Sequence, residues 1–488
     1  MRLIDNTVNI YSLFNLKLYG IILLQIGLGL LCVFIPWYMV ILFSISSALI
    51  VLLFIKVRWW AYLLVFFIPI LGHKTPGFHI KSVVSSGGRE ILPLALLLTI
   101  IAVCSFYLRK SSGLYKDAMR SPLFITILIF MCYGFFTFFW SPAKIEVNLY
   151  YFFYLILDIS FFYFLYHVVD DENFHKKLMW CLIFSGIALS MQVFTTFFYV
   201  LKTNIAFPIS DWLLFNLYQI PMKGQNSGWF VAYAGTSITL NIVIFVAVGL
   251  LLTEKNNSKR VLLMAAIVIC CYAVFLTKNK GGIWSLVVSS YLFLVLSGTF
   301  RKKLFRNALI LFTIFLFIFS SVIAMRMSKR GTFRAVDVST TKSSSIGQRL
   351  EYWGEGFRQI NNRSLIAAGL GIGGFTALNK LKIIHPHNLY LHMFFDFGFM
   401  GIIIACVIIV IIIRSFLKMK NYQETYLQNM FIAFTVNLFC IGLNGLIIIP
   451  YYSGILWFSL AMFFLTLRLM QKELSKIEKD KEKRHEDT

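Results

Sequence analysis

Residues 385–414, HPHNLYLHMFFDFGFMGIIIACVIIVIIIR, begin with a polar cluster and continue as an apolar run without a break. From Leu389 onward the run carries one acid, Asp396, before Arg414 ends it. An apolar run of about 20 residues is long enough to cross the hydrocarbon core of a bilayer as a helix. The stretch therefore predicts a membrane-spanning helix with two histidines and an asparagine at its mouth.

Similar runs recur along the whole chain, which has 488 residues, 59% of them hydrophobic and only 14% charged. Backbone in lipid must satisfy its own hydrogen bonds, and uninterrupted runs of this kind suit helices rather than barrel strands. We therefore predict an all-α polytopic integral membrane protein with about 12–14 transmembrane helices. The predicted spans lie near residues 16–35, 37–55, 59–71, 91–108, 122–140, 149–168, 178–201, 228–252, 261–277, 282–298, 305–325, 388–413, 428–448 and 453–469. We expect no cleavable signal peptide, because a second span follows the first directly.

Basic residues predict the orientation. With the N-terminus in the cytoplasm, the loops that fall inside carry most of the lysines and arginines, as the positive-inside rule requires. The predicted regions are an N-terminal transmembrane region at 1–325 with about 11 spans, a large extracytoplasmic loop at 326–387, C-terminal spans at 388–469 and a charged cytoplasmic tail at 470–488. We expect the tail to be a solvated cytoplasmic end, which could form a frayed helix.

The formal net charge of +24 does not point to nucleic acid, because the chain offers no compact basic domain. Basic loops beside anionic lipid explain most of that charge. The eight cysteines all lie in apolar runs, without the spacing of a metal site or a disulfide framework. We expect no metal and no cofactor.

The loop at 326–387 is basic although the topology places it outside. It contains Arg326, Lys329, Arg330, Arg334, Lys342 and Arg349 in its first part, against the single acid Asp337. Arginine binds phosphate or carboxylate oxygens through a planar fork, so the loop suggests an anion site at the outer membrane face. Contact with lipid headgroups is the simpler alternative.

The second half of the loop predicts a short surface helix with Leu350, Trp353, Phe357 and Ile360 on one face. The glycine-rich segment AAGLGIGGF at 367–375 follows it. Glycines permit tight turns and close approach of other groups. We interpret the segment as a turn that folds the loop back onto the membrane domain.

Three polar features are predicted on this outer face. They are Lys278 and Lys280 at the start of the tenth span, Arg349 in the loop, and His385, His387 and Asn388 at the mouth. Cationic side chains can hold a pyrophosphate, and a histidine can take a proton from a hydroxyl near neutral pH. Together they suggest a site for a lipid-pyrophosphate donor and a hydroxylated acceptor. Asp396 is a further candidate, because an acid inside a span is functional unless a neighbouring polar group pairs with it.

The order of these motifs resembles the O-antigen polymerase/ligase group of bacterial surface-polysaccharide enzymes. The matching residues are Asn279-Lys280-Gly281, Arg349 with Trp353, GLGIGGF, and His387-Asn388 followed after nine residues by Gly398-Phe399-Met400-Gly401. The resemblance covers roughly residues 275–405. Lysine stands at 280 where the family usually has arginine.

The resemblance implies a polytopic, GT-C-like, metal-independent glycosyltransferase that uses an undecaprenyl-pyrophosphate-linked oligosaccharide donor. It implies that His387 is the general base and that Asn388 holds this histidine or the sugar. Lys280, Arg349 and either Arg334 or Arg358 would stabilise the leaving pyrophosphate. Lys278 and His385 would support these groups, and Trp353 would stack on a sugar. Membrane lipids, a flippase and a chain-length regulator are the partners expected from the family.

Three functions remain open at this point. A polymerase would join repeat units, whereas a ligase would move finished glycan to another acceptor, and the local motifs do not separate them. A transporter or flippase would instead carry intramembrane charges and repeat symmetry, and here the polar residues concentrate in one loop and its flanking spans. An anionic repeat such as teichuronic acid would suit the basic loop.

Overall fold

The computed structural model describes residues 57–71, 121–203, 233–277, 279–298, 345–363, 366–378, 386–419, 422, 425–446 and 453–486. The chain divides into two compact units, Met1–Trp60 and Ala61–Thr488, and nearly all the described residues belong to the second. The predicted spans near 16–35, 37–55, 91–108 and 305–325 lie outside the described residues.

The described part of the chain is almost wholly helical and contains no strand. Its helices are α1 Val57–Leu71, α2 Pro122–Phe136, α3 Ile145–Val168, α4 Glu172–Thr203, α5 Tyr233–Thr253, α6 Asn257–Leu276, α7 Lys280–Leu296, α8 Ser345–Asn362, α9 Gly374–Leu378, α10 Leu389–Met419, α11 Thr425–Gly445 and α12 Gly454–Glu486. A short 3-10 turn, Thr137–Phe139, extends α2.

Seven helices among the described residues are long and apolar enough to cross a membrane, namely α2, α3, α5, α6, α10, α11 and α12. The shorter apolar segment Gly281–Leu296 of α7 accompanies them. The prediction of an all-α polytopic membrane protein is therefore confirmed.

Two helices, α5 and α11, form the centre of the bundle. They pack against each other along most of their length, and both also contact α7. Most residues of α5 are buried, whereas about a quarter of the residues in the apolar stretches of α2, α6 and α10 are buried. A helix that is apolar on all sides suits a protein core, and a helix buried on one side can face lipid with the other. Several polar residues of the central helices, among them Asn241, Ser285 and Asn444, are buried within the protein.

The described half of the predicted loop lies against α10. Ile360 of α8 is buried in a small apolar cluster with Leu370, Phe375 and Phe395. The Phe357 ring also meets the Phe395 ring edge-on, with 5.2 Å between centroids. Leu350, predicted on the same face of this surface helix, is 57% exposed. The ring contacts between α8 and α10 lie further along α8, at Phe357.

The glycine-rich segment folds the loop back, as predicted, by docking onto a kink in α10. The Leu370 N–H donates to the Phe395 carbonyl at 2.7 Å, and the Gly371 N–H donates to the Asp396 carbonyl at 2.8 Å. Gly398 leaves helical geometry at the kink, with φ 60° and ψ −149°. On the other side of the turn, the Trp140 indole N–H donates to the Gly369 carbonyl at 3.1 Å.

The last helix continues beyond its apolar part. α12 is helical from Gly454 to Glu486, so the described part of the predicted tail forms regular helix. Lys472 ties the start of this extension to the Asp170 carbonyl at 2.9 Å, and Lys476 pairs with Glu473. Pairs three residues apart on one helix contribute a few tenths of a kcal/mol each, about 0.2–0.5.

Candidate active site at the mouth of α10

His387 lies two residues before the start of α10, next to Asn388. Its φ of 54° is the only positive value among the non-glycine residues that the structure describes. Histidine is one of the few side chains that tolerate this left-handed region. The turn places the imidazole, half-buried, beside α8 rather than along the axis of α10.

Two consecutive aromatic residues of α8 hold this turn. The Trp353 indole N–H donates to the Pro386 carbonyl at 2.9 Å. The Tyr352 ring stacks on the His387 imidazole with 6.1 Å between centroids and 29° between planes. The indole N–H of Trp353 is thus used by the protein, while its ring remains half-buried. Sequence reasoning missed Tyr352, because nothing but its position beside Trp353 separates it from the other tyrosines.

Asn388 caps α10 and ties it to α11. Its side-chain oxygen accepts from the Leu391 N–H at 3.0 Å, and its side-chain nitrogen donates to the Leu446 carbonyl at 3.1 Å. Asparagine is among the preferred residues at this position of a helix. Both the oxygen and the nitrogen of the side-chain amide have protein partners. In the structure, Asn388 therefore holds the start of α10 in place against α11.

The two arginines of α8 differ in their surroundings. Arg358 is exposed, and Glu355 holds its guanidinium in a two-pronged ion pair at 2.6–3.0 Å. Arg349 lies one helical turn before Tyr352 and Trp353 and is half-buried. No carboxylate among the described residues pairs with it. Burial lowers the pKa of Arg349 from its ordinary value, because removal from water disfavours the charged form.

The start of α7 forms the second part of the site. Helix α7 begins at Lys280, and the side-chain nitrogen of Asn279 donates to the Ser237 hydroxyl at 2.6 Å. Gly282 lies so close to Ser237 that a β-carbon there would meet the serine side chain. This contact sets the amino end of α7 against α5. Lys278, His385 and Arg334 lie outside the described residues, and only the backbone of Lys280 is described.

The carboxyl end of α11 lies next to both parts. The Tyr390 hydroxyl of α10 donates to the Gly442 carbonyl at 3.1 Å, and Asn388 reaches Leu446. Between these two positions, the side-chain nitrogen of Asn444 donates to the Ser285 hydroxyl of α7 at 2.7 Å. The amino ends of α7 and α10 therefore rest on one turn of α11. That turn joins the Lys280 segment to the His387 segment.

Asp396 has a structural task below the mouth. Its carboxylate accepts from the Gly373 N–H at 3.2 Å and from the Phe375 N–H at 3.1 Å. His392, also buried, lies with Nε2 3.4 Å from the same carboxylate. The acid predicted as a default functional candidate thus closes the glycine-rich turn onto α10, which is the alternative that the sequence left open.

The arrangement offers a histidine that can exchange a proton and a half-buried arginine that no described carboxylate pairs with. Among the described residues, no group of three or more His, Cys, Asp or Glu side chains is placed to hold a metal ion. The chemistry that these described side chains support is proton transfer beside a bound anion.

Comparison with known proteins places this site inside a recognised domain. Residues 265–406 match the family model described as O-Antigen ligase. The range includes all of α7, α8 and α9 and the first half of α10, hence both parts of the site. It also agrees closely with the segment over which the motifs resemble the family.

The chain is also similar to the ComP-specific O-oligosaccharyltransferase of Acinetobacter baylyi. The two are 23% identical over 371 residues, which are 72% of this chain and 62% of the relative. The match thus spans less than two thirds of that relative's length. The resemblance predicted from the motifs is confirmed, since residues 265–406 match the O-antigen ligase family model.

Proposed function

We propose that the protein is a membrane glycosyltransferase that polymerises a bacterial surface polysaccharide. It would join undecaprenyl-pyrophosphate-linked oligosaccharide units on the outer face of the cytoplasmic membrane. The observation that carries the proposal is the pairing of His387 with Tyr352, one turn from the half-buried Arg349, within the O-antigen ligase domain. A base beside a cation site is what transfer from a pyrophosphate carrier requires.

In the proposed reaction, an acceptor hydroxyl attacks the anomeric carbon of the donor sugar. His387 takes the hydroxyl proton while the bond from that carbon to the pyrophosphate oxygen breaks. The lipid pyrophosphate leaves with the electron pair, and Lys280 and Arg349 stabilise the charge that it gains. A single displacement inverts the anomeric configuration. Because two side-chain cations supply this stabilisation, the mechanism is proposed without a metal.

The remaining residues take supporting parts in the proposal. Asn388 sets the mouth in place, and the half-buried face of Trp353 contacts a sugar ring. In the proposal, Lys278, His385 and Arg334 add further charge to the anionic site, as the resemblance implies. Arg358 contributes only when its ion pair with Glu355 opens, so we rank it below Arg349.

A ligase is the second candidate, and the similarity to an O-oligosaccharyltransferase favours it. The name of that relative specifies ComP. A polymerase differs from a ligase in its acceptor, which is a second carrier-linked chain. Both reactions share the donor chemistry proposed for Lys280, Arg349 and His387. The two reactions differ only in the acceptor that binds beside the His387 imidazole.

A transporter remains the third candidate, and the described residues favour it least. The buried acid Asp396 and its neighbour His392 are held within the protein rather than arranged along a pathway. A flippase that supplies the donor and a regulator of chain length are partners expected of a polymerase. An anionic repeat such as teichuronic acid would suit a basic loop.

The test compares glycan length in cells or vesicles supplied with the carrier-linked repeat unit. Wild type is compared with His387→Ala, and His485→Ala in the exposed part of α12 serves as the matched control. Protein levels in the membrane are equalised. We expect long chains from wild type and His485→Ala, and single units from His387→Ala.

The other outcomes separate the alternatives. Single transfer to a non-carrier acceptor by wild type indicates a ligase. Relocation of the donor across the bilayer without a new glycosidic bond indicates a transporter. Unchanged long chains from His387→Ala would remove His387 from catalysis.

A further inference from the structure

The starting point is a set of buried amides behind the start of α7. The side-chain nitrogen of Asn241 donates to the Gly282 carbonyl at 2.9 Å and to the Ser285 hydroxyl at 3.2 Å. Asn444 donates to the same hydroxyl at 2.7 Å. Two amides, one from α5 and one from α11, thus clamp the first two turns of α7.

These amides are costly to bury. Asn241 and Asn444 are 0% and 1% exposed, and the side-chain oxygen of each has no hydrogen-bond partner among the described residues. An unpaired polar group in an apolar interior costs about 1–3 kcal/mol, and an apolar side chain of similar size would avoid that cost. Packing alone therefore does not explain asparagine here. The donated bonds fix where α7 lies against α11.

The same turn of α11 also fixes the mouth of α10. Gly442 accepts from Tyr390, and Leu446 accepts from Asn388, so Asn444 lies between the two anchor points of α10. Leu389, the first residue of α10, also lies close to Gly445, since a β-carbon added to this glycine would lie 3.2 Å from the Leu389 β-carbon. A shift of this turn would move the Lys280 segment relative to the His387 segment.

We propose that Asn444 is a positioning residue that sets the start of α7, with Lys280, in register with His387 at the mouth of α10. The inference rests on the proposed function, in which Lys280 binds the donor pyrophosphate and His387 takes the acceptor proton. Asn444 touches neither substrate. It acts through Ser285 on one side and through the backbone of its own helical turn on the other.

The chain offers a matched control on the same helix. Asn437 lies two turns earlier, is 0% exposed and donates to the Ile242 carbonyl of α5 at 3.4 Å. It is therefore an equally buried asparagine with an interhelical bond. That bond leads neither to α7 nor to α10, so Asn437→Leu reports the general cost of losing such an amide.

The first experiment measures steady-state kinetics for Asn444→Leu and Asn437→Leu with purified carrier-linked donor and acceptor. For Asn444→Leu we expect the KM for the donor to rise about tenfold, since a misplacement below 1 Å produces losses of this size. The KM for the acceptor should stay within twofold. A purely structural defect would instead lower the amount of active enzyme and leave both KM values unchanged.

Ser285 provides the second arm. If Asn444 acts through this hydroxyl, Asn444→Leu should change the donor KM little when Ser285 is already alanine, because coupled residues are not additive. Equal KM values for the Asn444 and Asn437 variants, or full additivity with Ser285→Ala, would overturn the inference. Asn444→Ser, which keeps a hydroxyl donor, replaces the leucine variant if the latter fails to accumulate.

A measurement without activity separates this inference from the proposed function. Nitroxide labels are placed at positions 280 and 387 through genetically encoded residues, so that the native cysteines stay. The label distance distribution should shift or broaden in Asn444→Leu and match wild type in Asn437→Leu. Identical distributions in all three refute the positioning of α7, whereas absence of glycan transfer by the unlabelled wild type refutes the proposed function alone.

Discussion

The backbone of His387 is held in an unfavourable conformation by contacts from α8. A non-glycine residue in the left-handed region costs of order 1–3 kcal/mol and persists only where its surroundings fix it. Here the bond from Trp353 to the Pro386 carbonyl and the ring of Tyr352 do so. The imidazole is thereby directed toward the helix that carries Arg349.

Tyr352 should therefore be needed for its ring and not for its hydroxyl. We expect Tyr352→Ala to lower the transfer rate about tenfold or more, because a base held less firmly spends less time in the reactive geometry. Tyr352→Phe keeps the ring and should retain most of the rate. The discriminating measurement is the initial rate per folded molecule at saturating donor and acceptor, since a loosely held base lowers this rate whereas a merely destabilised protein lowers only the amount of active enzyme. Equal losses in both variants would contradict the stacking role.

Arg349 should matter through its charge. A half-buried cation without a carboxylate partner among the described residues gains most when an anion binds beside it. We expect Arg349→Ala to reduce transfer by roughly 10²-fold, in the range seen when one charge-stabilising donor is removed. The transfer rate of Arg349→Lys should lie between those of wild type and Arg349→Ala, because lysine keeps the charge but cannot form the two-pronged contact of arginine.

The control for Arg349 is Arg363, an exposed arginine just after the same helix. Arg363→Ala removes the same charge from the same region and should leave the rate within twofold. The measurement is the initial rate of product formation at low and high salt. Similar losses for both arginines would mean that the loop acts only by general attraction of anions.

At the scale of elements, the join between the glycine-rich turn and α10 is the tightest contact near the site. Gly398 sits at the kink with φ 60°, and a β-carbon there would lie against the Ala367 carbonyl and 2.5 Å from the Gly369 nitrogen. Neither backbone can retreat, since the turn is also bonded to Phe395 and Asp396. The kink requires glycine for both its conformation and its contacts.

Gly398→Ala should consequently destabilise the protein by about 3 kcal/mol or more, from backbone strain together with the displaced turn. Thermal unfolding in detergent, followed by retention of monodisperse protein, measures the effect. Gly354→Ala is the matched control, because Gly354 lies in the exposed part of α8 and a β-carbon added to it would have no neighbouring atom within 4 Å. Gly354→Ala should raise the stability by about 0.5–1 kcal/mol, because alanine has the higher helix propensity. A lower unfolding temperature for both variants would contradict the argument.

Sequence patterns predicted the elements far better than the contacts between them. The apolar runs placed the described spans to within a few residues, since lipid leaves a helix few alternatives. The contacts that hold the tail helix and the glycine-rich turn were not predicted, because they depend on what lies beside each helix. The motif order predicted His387 at the start of a span, but the contact with Tyr352 joins residues 35 positions apart. The hydrophobic periodicity of a sequence carries no information about such a contact.

On the scale of the whole molecule, the candidate site is assembled from four helices. Helices α7 and α10 bring their amino ends to one turn of α11, and α8 approaches α10 from the loop. The charge pattern predicts none of these contacts, and it predicts only that the parts share one membrane face. That location has a consequence for topology that does not depend on the chemistry.

Three candidate spans, α10, α11 and α12, lie between α8 and the end of α12. An odd number of crossings places the two segments on opposite sides of the membrane, and the positive-inside rule puts α8 outside. Leu350 and Ile477 are exposed, at 57% and 48%, and serve as reporter positions on these segments.

We expect a membrane-impermeant maleimide to label Leu350→Cys in intact cells and Ile477→Cys only after permeabilisation. Wild type, with its native cysteines unchanged, supplies the background. Labelling of both variants from the same side would show that one of the three helices does not cross, and labelling of Ile477→Cys alone in intact cells would place the proposed site in the cytoplasm.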